Sequence, residues 1–270
     1  MKILYFGGGL GNQIFEYSVY LTIKDKFPNS RIYGVYSKKR FKEHAGGLEI
    51  EDIFNVKLPH SSLFARILMF VIMGWNRYIH STKYYCHNLT HPYWDAILFN
   101  AHKMVFSCYK DRVDWLEFKN IQLNDMNRSI LNRIKSEQSV CIHVRRGDFL
   151  SEKYAANHAN VATLDYYNSA INRIYEYIEN PTFFIFSDDI EWCKKNITLN
   201  NAIYIDWNTG KDSYVDMYLQ TFAKANIIAN STFSYWGAYL NKNNNIVIYP
   251  KKWQTSEGDL KIFPSDWIAI

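Results

Sequence analysis

The chain has 270 residues, enough for two domains of ordinary size, and 48% of them are hydrophobic, enough for a substantial core. A formal net charge of +5 is too small an excess to indicate a nucleic-acid-binding protein, and no zinc-finger or RNA-recognition pattern occurs. The cysteines lie far apart without a Cys-x-x-Cys pair, which argues against a zinc site or disulfide scaffold and favours buried thiols at Cys86, Cys108, Cys141 and Cys193.

The chain begins with a strand, a glycine loop and a helix. Residues 2–6 form a short apolar run, residues 7–12 carry the glycines, and residues 13–26 show helical spacing; a second strand is predicted at 31–35. Glycines at a helix start let backbone N–H groups approach an anion. A tight structural turn explains the loop equally well, but the amides of Asn12 and Gln13 could also hydrogen-bond a sugar or phosphate.

The middle of the chain, residues 40–135, is aromatic-rich and predicted to be mostly helical with irregular loops. Its most apolar stretch, 67–75, is too short to span a bilayer, and two interpretations stay open. The favoured one is a buried helix; the other is a helix lying at a membrane surface.

The second half alternates strands with helices, which implies a parallel sheet covered on both faces. Ligands of such sheets bind at the carboxyl ends of the strands. The predicted strands are 139–144, 182–186, 203–205, 226–229 and 246–249, and the predicted helices begin after Thr163, at 190, at 212 and after Ser231 or Thr232.

Two arginines follow the strand 139–144, in the motif HVRRGD at 143–148. Strand alternation points His143 and Arg145 the same way and Arg146 the opposite way. We therefore expect Arg145 to face a ligand, for which a diphosphate suits a bidentate guanidinium, and Arg146 to pair internally with Asp148. The alternative is a purely structural ion pair.

Two further loops follow strands at the same sheet edge. The carboxylate of Asp188 could accept hydrogen bonds from guanine or ribose, and Ser231 and Thr232 could hold a phosphate at a helix start. Helix capping alone is the alternative for both loops. No Asp-x-Asp motif occurs, so no metal site is predicted.

Four stretches together resemble the bacterial α-1,2-fucosyltransferases, glycosyltransferase family 11. They are GGLGNQIF at 8–15, HVRRGD at 143–148, FSDD at 186–189 followed by Trp192, and NSTFSYWGA at 230–238, in the family's order. Ala225, where the family often has histidine, and Tyr235, where it often has tryptophan, depart from the pattern.

The resemblance implies a GT-B fold, with two Rossmann-like domains facing across a cleft. Residues 1–136 would form the acceptor-side domain and residues 137–270 the domain that binds a GDP-sugar. It also implies inverting, metal-independent transfer of L-fucose from GDP-β-L-fucose to the 2-hydroxyl of a galactoside, without a cofactor.

The resemblance further implies a role for each motif residue. Arg145 would hold the β-phosphate, His143 the nucleoside, and Asp188 the guanine or ribose. Asn12 would lie at the reacting centre. The remaining donor contacts would come from Gly9, Leu10, Gly11, Ser231, Thr232 and Phe233. Asp148 is a candidate base, although pairing with an arginine would weaken it in that role.

Other readings stay open at this stage. The chain could be a GT-B transferase with another donor or linkage, such as α-1,6-fucosyl transfer, or a non-catalytic glycan-binding protein. The N-terminus lacks the pattern of a signal peptide, so we expect a bacterial cytoplasmic enzyme of O-antigen or glycan biosynthesis. Its basic charge and the 67–75 segment would allow peripheral contact with the inner membrane.

Overall fold

The computed structural model of the protein describes residues 1–36, 48–79, 84–86, 95–101, 113–243, 246–255 and 262–270. The chain divides into two compact units, Met1–Ile121 and Gln122–Ile270. Cys86, Cys141 and Cys193 are buried, as expected, and Cys108 lies outside the described residues.

The first unit is a parallel α/β sheet. Its elements are β1 (Lys2–Phe6), α1 (Leu10–Lys26), β2 (Ile32–Tyr36), α2 (Ile50–Ile53), α3 (Leu63–Ile79), β3 (Tyr85–Cys86) and β4 (Leu98–Asn100). The described strands pair in parallel in the order β2-β1-β4-β3. Because β2 and β4 flank β1 on opposite sides, the direction of winding changes at β1. The glycine loop leaves β1 at this point, where open α/β sheets bind ligands.

The opening strand, helix and second strand agree with the sequence prediction, whereas the middle of the chain differs from it. β4 is a buried strand between β1 and β3, in a region predicted to be mostly helical. Leu98 and Phe99 are fully buried. Three residues are too few to show a strand period, so this element is fixed by its sheet neighbours rather than by local pattern.

The apolar segment 67–75 lies in α3. One side of this helix is buried, and its solvent-facing side is also apolar. Ala65, Met69 and Ile72 are buried against the sheet, while Phe70 and Trp75 are 65% and 59% exposed. The prediction of a buried helix is therefore wrong for the outward side of α3. Among the helices that the structure describes, none has the length and apolar character needed to cross a membrane.

The second unit is a larger parallel α/β sheet. Its helices are α4 (Asp125–Ser136), α5 (Ala155–His158), α6 (Leu164–Ile174), α7 (Ile190–Asn196), α8 (Tyr214–Gln220) and α9 (Thr232–Tyr239). Its strands are β5 (Ser139–Val144), β6 (Thr182–Ser187), β7 (Ala202–Ile205), β8 (Ala225–Ile227), β9 (Ile246–Tyr249) and β10 (Ile268–Ala269), in the order β10-β9-β8-β5-β6-β7. The predicted alternation and parallel pairing are confirmed.

The winding of this sheet changes direction between β5 and β8. From β5 the chain runs outward through β6 to β7, then returns to the other side of β5 as β8. The loops that follow β5 and β8 therefore border the crevice where doubly wound sheets bind ligands. The sequence motifs at 143–148 and 230–234 are these two loops.

The boundary between the units lies earlier than the predicted division at 136/137. α4 belongs to the second unit because Ile130, Leu131 and Ile134 pack with Cys141 and Phe184 in its core. Amphipathic spacing shows that α4 has one buried side, but not which sheet covers it.

The helix predicted from residue 212 to 224 is shorter in the structure, where α8 covers Tyr214–Gln220. Side-chain amides donate hydrogen bonds to backbone carbonyl groups at the end of this helix and just after it. Asn226 donates to the Gln220 carbonyl, and Asn241 donates to the Ala223 carbonyl at 2.6 Å. These contacts come from residues later in the chain, which turn the backbone into β8.

Candidate active site at the strand ends

The glycine loop after β1 is held from behind by two fully buried polar side chains. The backbone N–H of Gly7 donates to both carboxylate oxygens of Glu16, at 3.1 and 3.2 Å. The side chain of Gln13 donates to the Gly8 carbonyl and accepts from the backbone N–H groups of Glu49 and Ile50, each at 3.1 Å. Gly8 has a φ of 93°, which favours glycine.

These contacts distinguish Gln13 from Asn12, the two amide side chains for which the sequence suggested contact with a sugar or phosphate. Gln13 is buried and holds the loop, so its predicted ligand role is wrong. Asn12, one residue earlier, is partly exposed. Gly9 begins α1 without a side-chain cap, and Leu10 and Gly11 form the first turn of the helix. Backbone N–H groups and the α1 dipole favour an anion there.

The sheet register brings the two arginines of β5 against the aspartates of β6. Val144 pairs with Ser187, so the residues that follow them lie side by side. Arg145 places Nη1 3.0 Å from Asp188 Oδ2 and Nη2 2.8 Å from Asp148 Oδ1. A guanidinium carries five N–H groups, and those not facing the carboxylates remain for a ligand. The Arg145 side chain is 28% exposed.

Arg146 has a different set of partners, and its predicted pairing with Asp148 is wrong. Its Nε donates to Asp189 at 3.0 Å, and its guanidinium lies 3.9 Å from the centroid of the Trp192 ring. Asp189 also caps α7 by accepting from the Trp192 N–H. Strand alternation predicted that the arginines diverge, but only the β6 register shows which carboxylate each one meets.

Asp188 fixes this arrangement from both sides. Its Oδ1 accepts from the backbone N–H of Arg146 at 2.8 Å, while its Oδ2 pairs with Arg145. A Cβ on Gly147 would lie 2.7 Å from the same Oδ2, so a larger residue there would have to shift the Asp188 carboxylate that pairs with Arg145. Arg145 is thus preorganised by groups that a ligand need not displace.

His143 is a neutral group at this edge. Burial lowers its pKa to about 4, an effect opposed by Asp188 and reinforced by Arg145. Its ring centroid lies 5.3 Å from that of Phe233, and its backbone carbonyl accepts from the Tyr167 hydroxyl. A neutral imidazole beside an aromatic ring suits a base or sugar better than a phosphate.

The loop after β8 begins α9. Ser231 Oγ accepts from the Phe233 N–H at 3.3 Å, so the predicted capping is confirmed, and Thr232 is the first helical residue. Capping does not use all of the N–H groups at a helix start, so a phosphate could still bind there. Thr232 and Phe233 are both partly exposed.

Unsatisfied polar atoms gather at this sheet edge. Among the side chains that the structure describes, the buried nitrogen and oxygen atoms without a hydrogen-bond partner belong to His143, Asp148, His158 and Asn230. The Asp148 atom is the one that faces Arg145, at a distance but not an alignment suited to a hydrogen bond. Most buried polar atoms are paired in folded proteins, so their concentration around the β5–β8 crevice makes it the candidate ligand site.

His158 is the member of this group that sequence reasoning missed. It stacks on Phe149 with ring centroids 4.5 Å apart, and Phe149 in turn lies 5.7 Å from the Arg145 guanidinium. The His158 carbonyl accepts from Asn230 at 3.4 Å. Burial lowers the pKa of His158, and the nearby charge of Asp148 opposes this. Its position ten residues beyond the motif gave no sequence signal of this role.

Net charge does not explain anion binding here, because the paired side chains comprise Arg145 and Arg146 against Asp148, Asp188 and Asp189. A diphosphate would depend on directed N–H groups and on the start of α9. Within the described residues, no cluster of three or more His, Cys, Asp or Glu side chains could hold a metal ion.

A family model, Glycosyl transferase family 11, matches residues 72–270, which include the loops after β5, β6 and β8. The chain belongs to glycosyltransferase family 11. It is 30% identical over 281 residues to an alpha-1,2-colitosyltransferase of Escherichia coli, covering 97% of this chain and 96% of that protein. It is 27% identical to the O-antigen biosynthesis glycosyltransferase WbnK of the same species, covering 97% and 98%.

Two further similarities are weaker in coverage or in sequence identity. A galactoside alpha-(1,2)-fucosyltransferase 1 of Saimiri boliviensis boliviensis is 28% identical over 163 residues, which cover 55% of this chain and 44% of that protein. The crystal structure of POFUT1 in its apo form aligns with a TM-score of 0.50 at 9% identity, covering 93% of this chain and 98% of that one. The predicted fold class, an α/β chain of GT-B type with Rossmann-like units, is confirmed.

Proposed function

We propose that this glycosyltransferase transfers L-fucose from GDP-β-L-fucose to the 2-hydroxyl of a galactoside in a glycan, with inversion and without a metal ion. The family and the α-1,2 linkage named for two relatives support the reaction class. The observation that carries the proposal is Arg145, held between two carboxylates beside the β5–β8 crevice, one of which has a buried oxygen without a hydrogen bond.

Arg145 would act on the leaving group. As the bond between the anomeric carbon and the β-phosphate oxygen breaks, negative charge grows on GDP. A fixed guanidinium stabilises that charge without reorganising, because Asp188 and Asp148 already hold it. The free N–H groups at the start of α9 would take further phosphate oxygens.

The nucleoside would lie towards His143, Phe233 and Asp188. His143 stays neutral at physiological pH and offers an unpaired Nδ1, while Phe233 offers a ring face. The Asp188 oxygens each have one partner and can accept another hydrogen bond, from guanine or ribose. Asn12, Gly9, Leu10 and Gly11 would contact the donor from the glycine loop.

The acceptor oxygen would attack the anomeric carbon from the face opposite GDP, and its proton must pass to a base. Asp148 is the proposed base. The Asp148 oxygen facing Arg145 is buried without a hydrogen bond, so it can still accept one from the acceptor hydroxyl. The proton then moves from the galactose 2-hydroxyl to this carboxylate as GDP leaves.

A second donor has specific support. The E. coli relative is named for colitose, which is the 3-deoxy form of L-fucose, so two GDP-sugars that differ at one hydroxyl are candidates. A pocket that hydrogen-bonds the 3-hydroxyl would reject colitose strongly, whereas an apolar pocket would discriminate weakly.

The test is a matrix of purified protein with GDP-fucose, GDP-colitose and GDP-mannose against galactosides of different linkage, with EDTA present. We expect an α-1,2-linked fucosyl product, identified by NMR, and no product with GDP-mannose. A preference for GDP-colitose would replace fucose in the proposal. Loss of transfer in EDTA would overturn the metal-free mechanism, and binding without turnover for every donor would favour a glycan-binding protein.

A further inference from the structure

Helix α3 presents an apolar surface to solvent that the proposed transfer reaction does not use. Its inner side packs on the sheet through Ala65, Met69 and Ile72. Its outer side exposes large hydrophobic residues from end to end. We define the α3 outer face as Leu63, Phe64, Ile67, Phe70, Val71, Trp75 and Tyr78, each of which is more than half exposed.

These seven residues form one continuous surface. At about 100° per residue they fall within an arc of roughly 140°, and Gly74 is the other position in that arc. Seventeen residues make a helix about 25 Å long, so the face is an apolar strip rather than scattered side chains. Soluble monomers rarely expose strips of this kind without a binding partner.

The charges of α3 indicate which partner fits. The helix contains no aspartate or glutamate, and its two charged residues, Arg66 and Arg77, are exposed. They lie about three turns apart and border the same edge of the outer face. Self-association through this face would bring arginines to the rim with no α3 carboxylate to pair with them. An anionic surface satisfies both the apolar strip and its basic edge.

The aromatic content points the same way. Phe64, Phe70, Trp75 and Tyr78 belong to the face, and Tyr78 is 84% exposed. Tryptophan and tyrosine favour the boundary between lipid headgroups and acyl chains, where the ring is apolar and its N–H or O–H stays hydrated.

We propose that α3 docks the protein on an anionic lipid bilayer, lying in the plane of the membrane with its outer face inserted at the headgroup boundary. The sheet-facing side keeps α3 anchored to its own unit, so docking requires no unfolding. Arg66 and Arg77 pair with lipid phosphates at the edge of the inserted strip. This inference does not depend on the identity of the sugar donor.

Vesicle co-sedimentation of the full chain tests the proposal. Vesicles of phosphatidylcholine alone are compared with equal parts of phosphatidylcholine and phosphatidylglycerol, at low and high salt. We expect binding to the anionic vesicles that weakens with salt. The double variant Phe70→Glu/Trp75→Glu should lower the partition coefficient about tenfold or more. Absence of wild-type binding would overturn the proposal.

The matched control carries the same added charge elsewhere. Met126→Glu/Tyr177→Glu changes two exposed apolar residues of the second unit, 53% and 47% exposed, and should leave vesicle binding unchanged. An equal loss in both double variants would mean that net charge, not α3, governs binding. Circular dichroism establishes that each variant is folded, which is expected because all four positions are exposed.

Two further measurements separate the lipid from other partners. Arg66→Gln and Arg77→Gln should each weaken binding to anionic vesicles roughly fivefold. No effect of either change would contradict the anionic surface. Sedimentation velocity should show a monomer for the wild type without lipid. A dimer that Phe70→Glu/Trp75→Glu dissociates would show instead that a second copy covers this face.

Discussion

Each of the two sheets of this glycosyltransferase has a crevice where the direction of winding changes, but the polar side chains at the two crevices behave in opposite ways. At the end of β1, the polar side chains Glu16 and Gln13 turn inward and hold the glycine backbone. At the end of β5, polar atoms of His143, Asp148 and other residues are left without hydrogen bonds. A ligand at the β1 edge would therefore contact mainly backbone groups of the glycine loop. At the β5 edge it would contact side-chain polar atoms that make no hydrogen bond within the protein.

The contrast teaches that burial alone does not mark a functional residue. Gln13 and His143 are both buried polar residues within a sequence motif. What separates them is whether their polar atoms are satisfied within the fold. On this basis, substitutions at the β1 edge should act first on stability and substitutions at the β5 edge first on activity.

The largest expected effect is on catalysis at the β5 edge. Arg145→Lys keeps a positive charge but loses the guanidinium geometry that Asp148 and Asp188 hold. We expect kcat for transfer to fall about a hundredfold to a thousandfold, with little change in the denaturation midpoint. Arg133→Lys, at an exposed pair with Glu137, is the control and should keep full activity. Near-normal transfer by Arg145→Lys would contradict the assigned role.

The β1 edge should show the opposite response. Gln13→Ala leaves the N–H groups of Glu49 and Ile50 and the Gly8 carbonyl unpaired inside the first unit. Urea denaturation should report a loss of about 3 kcal/mol. Asn12→Ala, one residue away and partly exposed, should leave stability unchanged and lower transfer activity. A loss of stability in Asn12→Ala with none in Gln13→Ala would contradict the different roles assigned to these two residues.

Glu49, beside Gln13, should make the stability of the first unit depend on pH. Burial, reinforced by Asp52, raises its pKa from 4.5 to about 7. The folded state then binds more protons than the unfolded state between these values, so stability falls as pH rises through this window. Glu49→Gln should therefore stabilise the protein at about pH 8, by at most about 3 kcal/mol, and have little effect near pH 4.5. Equal effects at both pH values would count against a raised pKa.

The smallest expected effect is on kcat/KM and tests whether His158 belongs to the site at the end of β5. His158→Phe keeps the ring stacked on Phe149 but removes the unpaired Nδ1. We expect a loss of about tenfold in kcat/KM with an unchanged thermal midpoint, because one neutral hydrogen bond to a ligand is lost. Unchanged kcat/KM would remove His158 from the site and leave its unpaired nitrogen unexplained.

Local sequence predicted much of the second unit because each motif there lies where the residue pattern of a strand ends and that of a loop or helix begins. The strand at 139–144 ends where two arginines follow, and Thr163, Asp189 and Ser231 cap helices as their positions suggest. Partner choice was not predictable in the same way. Asp148 and Asp189 are both near the arginines, and only the pairing of Val144 with Ser187 decides between them.

The first unit was harder to predict because its elements depend on distant contacts. β4 is three residues long and exists because β1 and β3 flank it. α3 carries large apolar residues on both its inner and its outer side, so its sequence could not show which side the sheet covers. His158 lies on a four-residue helix without a motif, and its place beside Phe149 follows from the fold alone.

A crystal structure of the protein with GDP tests the central claim most directly, which is that the β5–β8 crevice holds the donor through Arg145. We predict a β-phosphate oxygen within about 3 Å of the Arg145 guanidinium and new hydrogen bonds to atoms that are unpaired in the free protein, among them His143 Nδ1. GDP bound away from this crevice, with Arg145 still paired only to Asp148 and Asp188, would contradict it.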